Sequence, residues 1–480
     1  MVSVKDIILV QSERHDVAYV LRICAVAALG GILFGYDTAV ISGAIGPLQR
    51  HFALSPQETG WAVSNVVIGS IIGAFVSGGV AQLLGRRMAL FICAVLFTVS
   101  AVGAALAEQF YAFVCFRMIG GLAVGTACTV SPMYMSEVSP KDMRGRALNM
   151  SQMAIVGGQV VVFIVNYLIS QHATEGWLDT MGWRWMLASA VIPCVVFCGA
   201  IFLIPESPRW HVLRGREEEA LKTLTRISNV QHATSLLEEI KASIDTDSKT
   251  TSARLGLTAL DKGSVWIIFV GAMIAMLQQL TGVNVMMYYA PMVLRNITSS
   301  NSDALFQTIW IGVASISGTV IGAWLVDRKG RLPLIRYCSL GMAAGLLLAS
   351  WALYTQAPGL LGLAGLLIFM VMFGMSWGPL AWVLVSEIFP NRIRSLGMSI
   401  SFMFMWIINF AVTQLFPVIS ENQYLKDHFH GAFSMWLFAF FCLFGRWFIL
   451  RFIPETKGVS LEKVESVMLQ RVGQVTSEAG

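Results

Sequence analysis

Apolar runs of roughly twenty residues recur from one end of the chain to the other, separated by short polar turns. They fall at roughly 18–43, 58–81, 88–107, 110–134, 147–170 and 184–204, and again at 264–294, 305–326, 333–354, 360–386, 396–418 and 431–453. Each is long enough to cross a hydrocarbon core of about 30 Å as a helix. One long polar interval, 205–262, divides them. Within it Arg216-Glu-Glu-Glu-Ala-Leu and Ser235-Leu-Leu-Glu-Glu-Ile set apolar residues at helical spacing, which predicts short amphipathic helices. The pattern therefore predicts an all-α membrane protein with twelve transmembrane helices. It divides into a six-helix bundle over 1–204, a helical linker over 205–262, a second six-helix bundle over 263–453 and a polar tail over 454–480. Residues 1–17 are polar and lead into a full-length span without a cleavage pattern.

Composition excludes the soluble alternative. The 480 residues are 56% hydrophobic and 13% charged, where soluble chains carry about 25% charged residues. The net charge of +5 is no signal for nucleic acid, because the cations are sorted between loops. Arg86, Arg87, Lys141, Arg144, Arg146, Arg328, Lys329, Arg331, Arg392 and Arg394 lie in one alternate set of loops. The other set offers mainly Arg50, Arg295 and Lys426. By the positive-inside rule the first set is cytoplasmic, and both termini with it. The eight cysteines lie in apolar stretches without a CxxC or Cys/His cluster, so they read as small packing residues and not as metal ligands or disulfides.

The two halves repeat. Gly85-Arg-Arg is echoed by Gly330-Arg331, Ser136-Glu137 with Arg144 by Ser386-Glu387 with Arg394, and Pro205-Glu-Ser-Pro by Pro454-Glu-Thr-Lys, each at an offset of about 250 residues. Parallel six-span repeats place a substrate site at the midplane between the halves. That favours a transporter over a channel, a receptor or a membrane enzyme. The repeated charges Arg86, Arg87, Glu137, Arg144, Asp327, Arg331, Glu387 and Arg394 sit at cytoplasmic span ends. Opposite charges there can bridge neighbouring helices and must separate when that side opens, which makes them candidates for a gate. Charges that only fix topology and solvate loop ends are the alternative.

Asp37 stands inside the first span. A carboxylate at the centre of a helix costs about 2.5–3.5 kcal/mol on insertion scales, so it needs a partner, a cavity or a proton. Arg117 in the fourth span is the natural partner. Arginine keeps its charge throughout, so only the carboxyl of such a pair can titrate. A buried ion pair that merely positions two helices is the competing reading. The seventh span carries Gln278, Gln279 and Asn284 around Gly282, with Tyr288 one turn later on the face of Asn284. Amides match sugar hydroxyls because they both donate and accept, and aromatic rings match the C–H faces. From spacing alone, interhelical hydrogen bonds explain these amides equally well.

The chain resembles the sugar porter family of the major facilitator superfamily, and within it most the bacterial D-xylose–proton symporters. The resemblance rests on Gly30-Gly-Ile-Leu-Phe-Gly-Tyr-Asp37-Thr-Ala-Val-Ile-Ser-Gly43, Gly85-Arg-Arg, Arg117-Met-Ile-Gly-Gly, Ser131-Pro-Met-Tyr-Met-Ser-Glu137, Pro205-Glu-Ser-Pro-Arg-Trp210, Gln278-Gln-Leu-Thr-Gly-Val-Asn284, Tyr288-Tyr-Ala-Pro291, Ser376-Trp-Gly-Pro379, Trp382-Val-Leu-Val-Ser-Glu-Ile-Phe-Pro390 and Pro454-Glu-Thr-Lys-Gly458, all in order. It implies alternating access by two pseudo-symmetric bundles, with Asp37 carrying a proton beside Arg117. It also implies sugar contacts from Gln152, Gln159, Gln278, Gln279, Asn284, Trp382 and Trp406, aromatic walls from Phe34 and Tyr288, and a flexible break at Gly378-Pro379.

Four positions depart from the family's pattern. Met405 stands where Gln or Asn is usual, Ser315 where Asn is common, Gln82 where the loop motif has Asp, and Ala190 where some coupled members have an acid in the sixth span. The expectation is a proton symporter for a xylose-like pentose or hexose, with a passive uniporter and a polyol or cyclitol symporter as alternatives. It is expected to work as a monomer in a bacterial cytoplasmic membrane. No metal, organic cofactor, nucleotide-binding loop or nucleophile–base arrangement is expected, and neither an enzyme nor a signalling receptor.

Overall fold

The computed structural model describes residues 16–140, 143–228, 230–251, 262–295, 301–356, 359–390 and 393–453. Twelve helices in it are long and apolar enough to cross a membrane: Val17–His51, Pro56–Leu84, Arg86–Leu106, Phe110–Val138, Arg144–Ser170, Glu175–Leu203, Gly263–Tyr288, Ser302–Val326, Arg331–Tyr354, Gly359–Ile388, Leu396–Ser420 and Phe433–Phe452. Among the described residues there is no strand. In hydrocarbon every backbone N–H and C=O must be satisfied within its own segment, and a helix does this. The helices are apolar all round, because one face packs on neighbours while the other meets lipid. Phe75, Ile192, Leu203 and Leu360 stand on such exposed faces.

The sixth span begins earlier than its hydropathy predicts. A short helix, Glu175–Trp177, and a π-helical turn, Leu178–Gly182, precede Trp183–Ala188. Asp179, which ends the apolar run in the sequence, is neutralised there by Arg50 at 2.7 Å. Two other spans are broken where glycine and proline stand. The seventh stops at Leu280 and resumes at Val283 after Gly282, whose φ of 83° lies in the left-handed region. The tenth stops at Met375 and resumes at Trp377, two residues before Pro379.

The chain forms two compact units. The first gathers the chain up to Asp37 with Ile68–Gly158 and Ala188–Arg254. The second gathers Thr38–Val67, Gln159–Leu187 and the chain from Leu255 onward. The division cuts the first, second, fifth and sixth spans, so one end of each packs with the second half of the chain.

Internal repetition is visible in the packing. In the first unit the third span packs on the fourth and the sixth; in the second unit the ninth packs on the tenth and the twelfth. Gly73 and Gly125 let the second and fourth spans touch backbone to backbone, and Gly318 and Gly374 do the same for the eighth and tenth.

Three helices occupy the polar interval: Pro208–Leu213, Glu217–Ile227 and Val230–Thr251. Ala220, Leu224, Ala233 and Leu237 form a small core between the last two. On the surface Lys241 bridges Glu217 and Glu238, and those hydrogen bonds, Glu217's first, push its amine above the ordinary lysine value. The motif at Pro454 and the expected tail, 454–480, lie outside the described residues, as do Lys141 and Arg392.

Candidate functional site

The first unit holds the charge buried within a span. Arg117 Nη1 donates to Asp37 Oδ1 at 2.9 Å and Nη2 to the Asp37 carbonyl at 3.2 Å. The residues are 2% and 5% exposed, so neither charge reaches bulk water. Asp37 Oδ2 and Arg117 Nε make no hydrogen bond among the described residues. A buried pair of this kind is weak evidence for stability, because desolvation offsets most of the attraction. Removing one member, however, strands the other at a cost of about 3–5 kcal/mol. Beside the pair, Tyr36 Oη and Ser189 Oγ lie 2.7 Å apart, and Ala190, where some coupled family members have an acid, is buried at the start of the Val191–Ala200 helix.

The second unit holds the amide cluster. Gln278 Nε2 donates to the carbonyls of Trp377 and Gly378, at 3.0 and 3.1 Å, and so ties the seventh span to the break in the tenth. Gln279 Nε2 reaches Gln278 Oε1 at 3.4 Å, and Asn284 Nδ2 donates to Gln279 Oε1. The left-handed turn at Gly282 brings Asn284 back over Gln279, and a side chain there would run into the Phe438 ring. Tyr288 follows, buried.

Trp382 is 38% exposed and lies against Phe402, with ring centres 4.7 Å apart. Trp406 and Gln159 are half-buried in the same unit, and Gly378 packs against Phe373. Phe34 and Gln152 are half-buried in the first unit. Met405 is buried at 3% exposure, and Ser315 is buried beside the Gly374 contact.

The charges at the span ends form two unequal networks. In the first unit Arg86 pairs bidentately with Glu137, Nε to Oε2 at 2.9 Å and Nη2 to Oε1 at 2.8 Å, and Nη1 donates to the Ala81 carbonyl. Ser207 Oγ donates to the same Glu137 carboxylate. The Glu206 carboxylate accepts the backbone N–H groups of Arg86 and Arg87, which places an anion on the N-terminus of the third span. Arg87 lays its guanidinium over Phe202 at 5.6 Å. Arg144 is exposed, with no ion pair among the described residues, so Arg86 and not Arg144 neutralises Glu137.

In the second unit Arg331 Nη2 meets Glu387 Oε1 at 2.9 Å, while Arg394 donates from Nε and Nη2 to the Phe389 carbonyl. The Asp327 side chain lies outside the described residues. At Gln82 the backbone carbonyl does the work, accepting from Trp210 Nε1 at 2.9 Å and from Arg214. The first network takes its acids from Glu137 and Glu206, so it does not need one at that position.

Sequence reasoning missed a set of polar ties at the opposite ends of these spans. Ser64 Oγ donates to Gln414 Oε1 at 2.7 Å, Gln414 Nε2 to the Gln57 carbonyl at 2.9 Å, and Gln49 Nε2 to Glu421 Oε1 at 3.0 Å. Gly60 lies directly against the Gln414 backbone. These bonds join the first and second spans to the eleventh within the second unit. Gln414 and Glu421 were visible as polar residues in an apolar helix and at its end, but nothing in their spacing named a partner.

Comparison with known proteins agrees with this geometry. The family model described as "Sugar (and other) transporter" matches residues 23–468. The D-xylose-proton symporter of Escherichia coli K12 is 40% identical, over 95% of this chain and 97% of its own. The glucose facilitated diffusion protein of Zymomonas mobilis is 35% identical, over 95% and 99%. The inward-open conformation of the xylose transporter XylE from E. coli superposes with a TM-score of 0.82 at 37% identity, covering 94% of this chain and all of the other.

Proposed function

We propose that this chain, which belongs to the Sugar (and other) transporter family, imports a monosaccharide by proton symport through alternating access. The observation that carries the reading is the Asp37–Arg117 pair, shut inside a span with one carboxylate oxygen unpaired. A buried charge in a membrane helix is expensive and marks an ion or proton pathway. Only Asp37 of the pair can exchange a proton, so a change in its contact with Arg117 between two states would load the proton in one and release it in the other.

The sugar site of this reading lies in the second unit, as the amide cluster with Gln159, Tyr288, Trp382 and Trp406; Gln152 and Phe34 of the first unit are carried by the resemblance alone. Asn284 brings an amide and Trp382 an exposed ring face, the two chemistries a pyranose needs. Gln278 holds the break beside Gly378-Pro379, so sugar binding and tenth-span bending are mechanically linked. The substrate is a xylose-like pentose or a hexose. Met405, buried and apolar, removes one hydroxyl partner, which keeps a polyol or cyclitol as the second substrate class. A passive uniporter is the competing mechanism, since a glucose facilitated diffusion protein is among the relatives.

Arg86–Glu137 and Arg331–Glu387 close their own helix clusters at the end rich in Arg and Lys, which the positive-inside rule assigns to the cytoplasm along with both termini. The ties through Gln414 and Glu421 shut the opposite end within the second unit. This arrangement suits a state closed to the outside. The protein works as a monomer in the lipid bilayer. Reconstituted into vesicles, it should alkalinise the outside medium when sugar is added; sugar uptake with no proton movement would establish the uniporter.

A further inference from the structure

Many serines and threonines in these helices satisfy their hydroxyls on the preceding turn, though Ser131 and Ser401 do not. Thr98 donates to Ala94 O, Thr126 to Leu122 O and Ser136 to Met133 O. Ser100, in the third span, does not. It is 1% exposed and its Oγ makes no hydrogen bond among the described residues. An unsatisfied buried hydroxyl costs roughly as much as the hydrogen bond it forgoes, and such a group calls for an explanation.

Its position supplies one. Gly120, on the fourth span, faces both Ser100 and Asp37. The point where a side chain on Gly120 would begin lies 2.5 Å from Ser100 Oγ and 3.4 Å from Asp37 Oδ1. Ser100 Oγ and Asp37 Oδ1, the oxygen that Arg117 holds, are therefore no more than about 6 Å apart, within the span of one bridging water; Oδ2, the free oxygen, is bonded to the same carbon. Three buried atoms in this neighbourhood have no partner among the described residues: Asp37 Oδ2, Arg117 Nε and Ser100 Oγ. About three polar partners is the usual complement of a buried water. The other elements packed on Asp37 bring Arg117 from the fourth span and the Cys194 thiol from the sixth. Tyr36 is occupied with Ser189. Ser100 is thus the free hydroxyl beside the pair.

We propose that Ser100 is a positioning residue of the proton site, linked through a buried water to the free oxygen of Asp37 and to Arg117. The proposal rests on Asp37 being the proton carrier. With Asp37 charged, the water donates to Oδ2 and accepts from Arg117 Nε, and the Ser100 hydroxyl holds it in place. With Asp37 protonated, the new O–H donates to the water, whose proton turns toward Ser100 Oγ. The hydroxyl serves both arrangements because it donates and accepts, but the charge-assisted chain to the ionised carboxylate is the stronger. Gly120 leaves space for this, since a methyl there would displace the hydroxyl.

The test is sugar-driven proton uptake and sugar transport across a pH series, in proteoliposomes of wild type, Ser100→Ala, Ser100→Thr and Gly120→Ala. Loss of a hydrogen bond to the charged carboxylate favours its protonated form. In S100A the pH at which proton-driven uptake falls by half should therefore rise by roughly half a unit or more, while sugar exchange at saturating sugar keeps its rate. G120A, which pushes the hydroxyl aside, should shift the profile the same way. S100T, which keeps the hydroxyl, should stay within about 0.2 unit of wild type. Wild type that couples normally, with S100A unshifted or S100T shifted equally, overturns the role of Ser100 alone. Wild type that moves no protons with its sugar overturns the symport reading, and the assignment of Ser100 with it.

Discussion

At the residue scale the proposed mechanism rests on one carboxylate, Asp37, and on its neighbours. Asp37→Asn keeps the side chain's shape and removes its charge and its proton. The variant should lose uphill accumulation and retain exchange of labelled sugar across the membrane; accumulation against a gradient by D37N contradicts the assignment. The two gate carboxylates, by contrast, should be unequal. Glu137 is bidentate to a guanidinium whose side chain is only 5% exposed, whereas the arginine that Glu387 meets has a side chain 26% exposed. Glu137→Gln should lower stability by about 3 kcal/mol and Glu387→Gln by less, because its pair is more exposed, read as a clear difference in the melting temperatures of the purified variants. Equal losses would mean that the two networks are not the different structures seen here. The sequence showed both glutamates but suggested Arg144 as the partner of Glu137. Its true neighbours, Arg86 and Ser207, come from other helices, and spacing along one chain segment does not report such contacts.

Among the helices, the breaks at Gly282 and Ser376 matter most, because the amides proposed to bind the sugar meet there. The first falls at the glycine that stands between the amides; the second was expected from the resemblance at Gly378-Pro379 and lies two residues earlier. The entry of the sixth span was not legible, because Asp179 reads as the end of an apolar run until Arg50 neutralises it. The role of Pro205-Glu-Ser-Pro was also hidden, since Glu206 accepts main-chain N–H groups that every sequence has. Gly282→Ala should be destabilising twice over. A left-handed φ costs an L-residue about 1–2 kcal/mol, and the methyl meets Phe438. Adding Phe438→Ala relieves only the second effect, so the double variant should be more stable than the sum of the two single losses. Strict additivity in thermal unfolding would show that the ring does not press on this turn.

For the whole molecule, class and span count were readable because hydrocarbon leaves a chain so few options. The closed end was not readable: it depends on Ser64, Gln57 and Gln49 finding Gln414 and Glu421, far away in sequence. If those bonds hold that end shut, Gln414→Ala should favour opening. Ser42 lines a cavity of about 290 Å³ there, with Gln49 and Arg295, and is itself 1% exposed. A cysteine at Ser42 should react several-fold faster with an impermeant thiol reagent from outside when Gln414 is alanine; an unchanged rate contradicts the latch.

The central claim is coupling, and it reduces to whether protons move with the sugar through Asp37. The most direct measurement follows external pH around weakly buffered proteoliposomes when a pentose or hexose is added. The account predicts alkalinisation that tracks sugar entry in wild type and vanishes in D37N while exchange continues. Sugar entry without a pH change in wild type, or alkalinisation that persists in D37N, would contradict it.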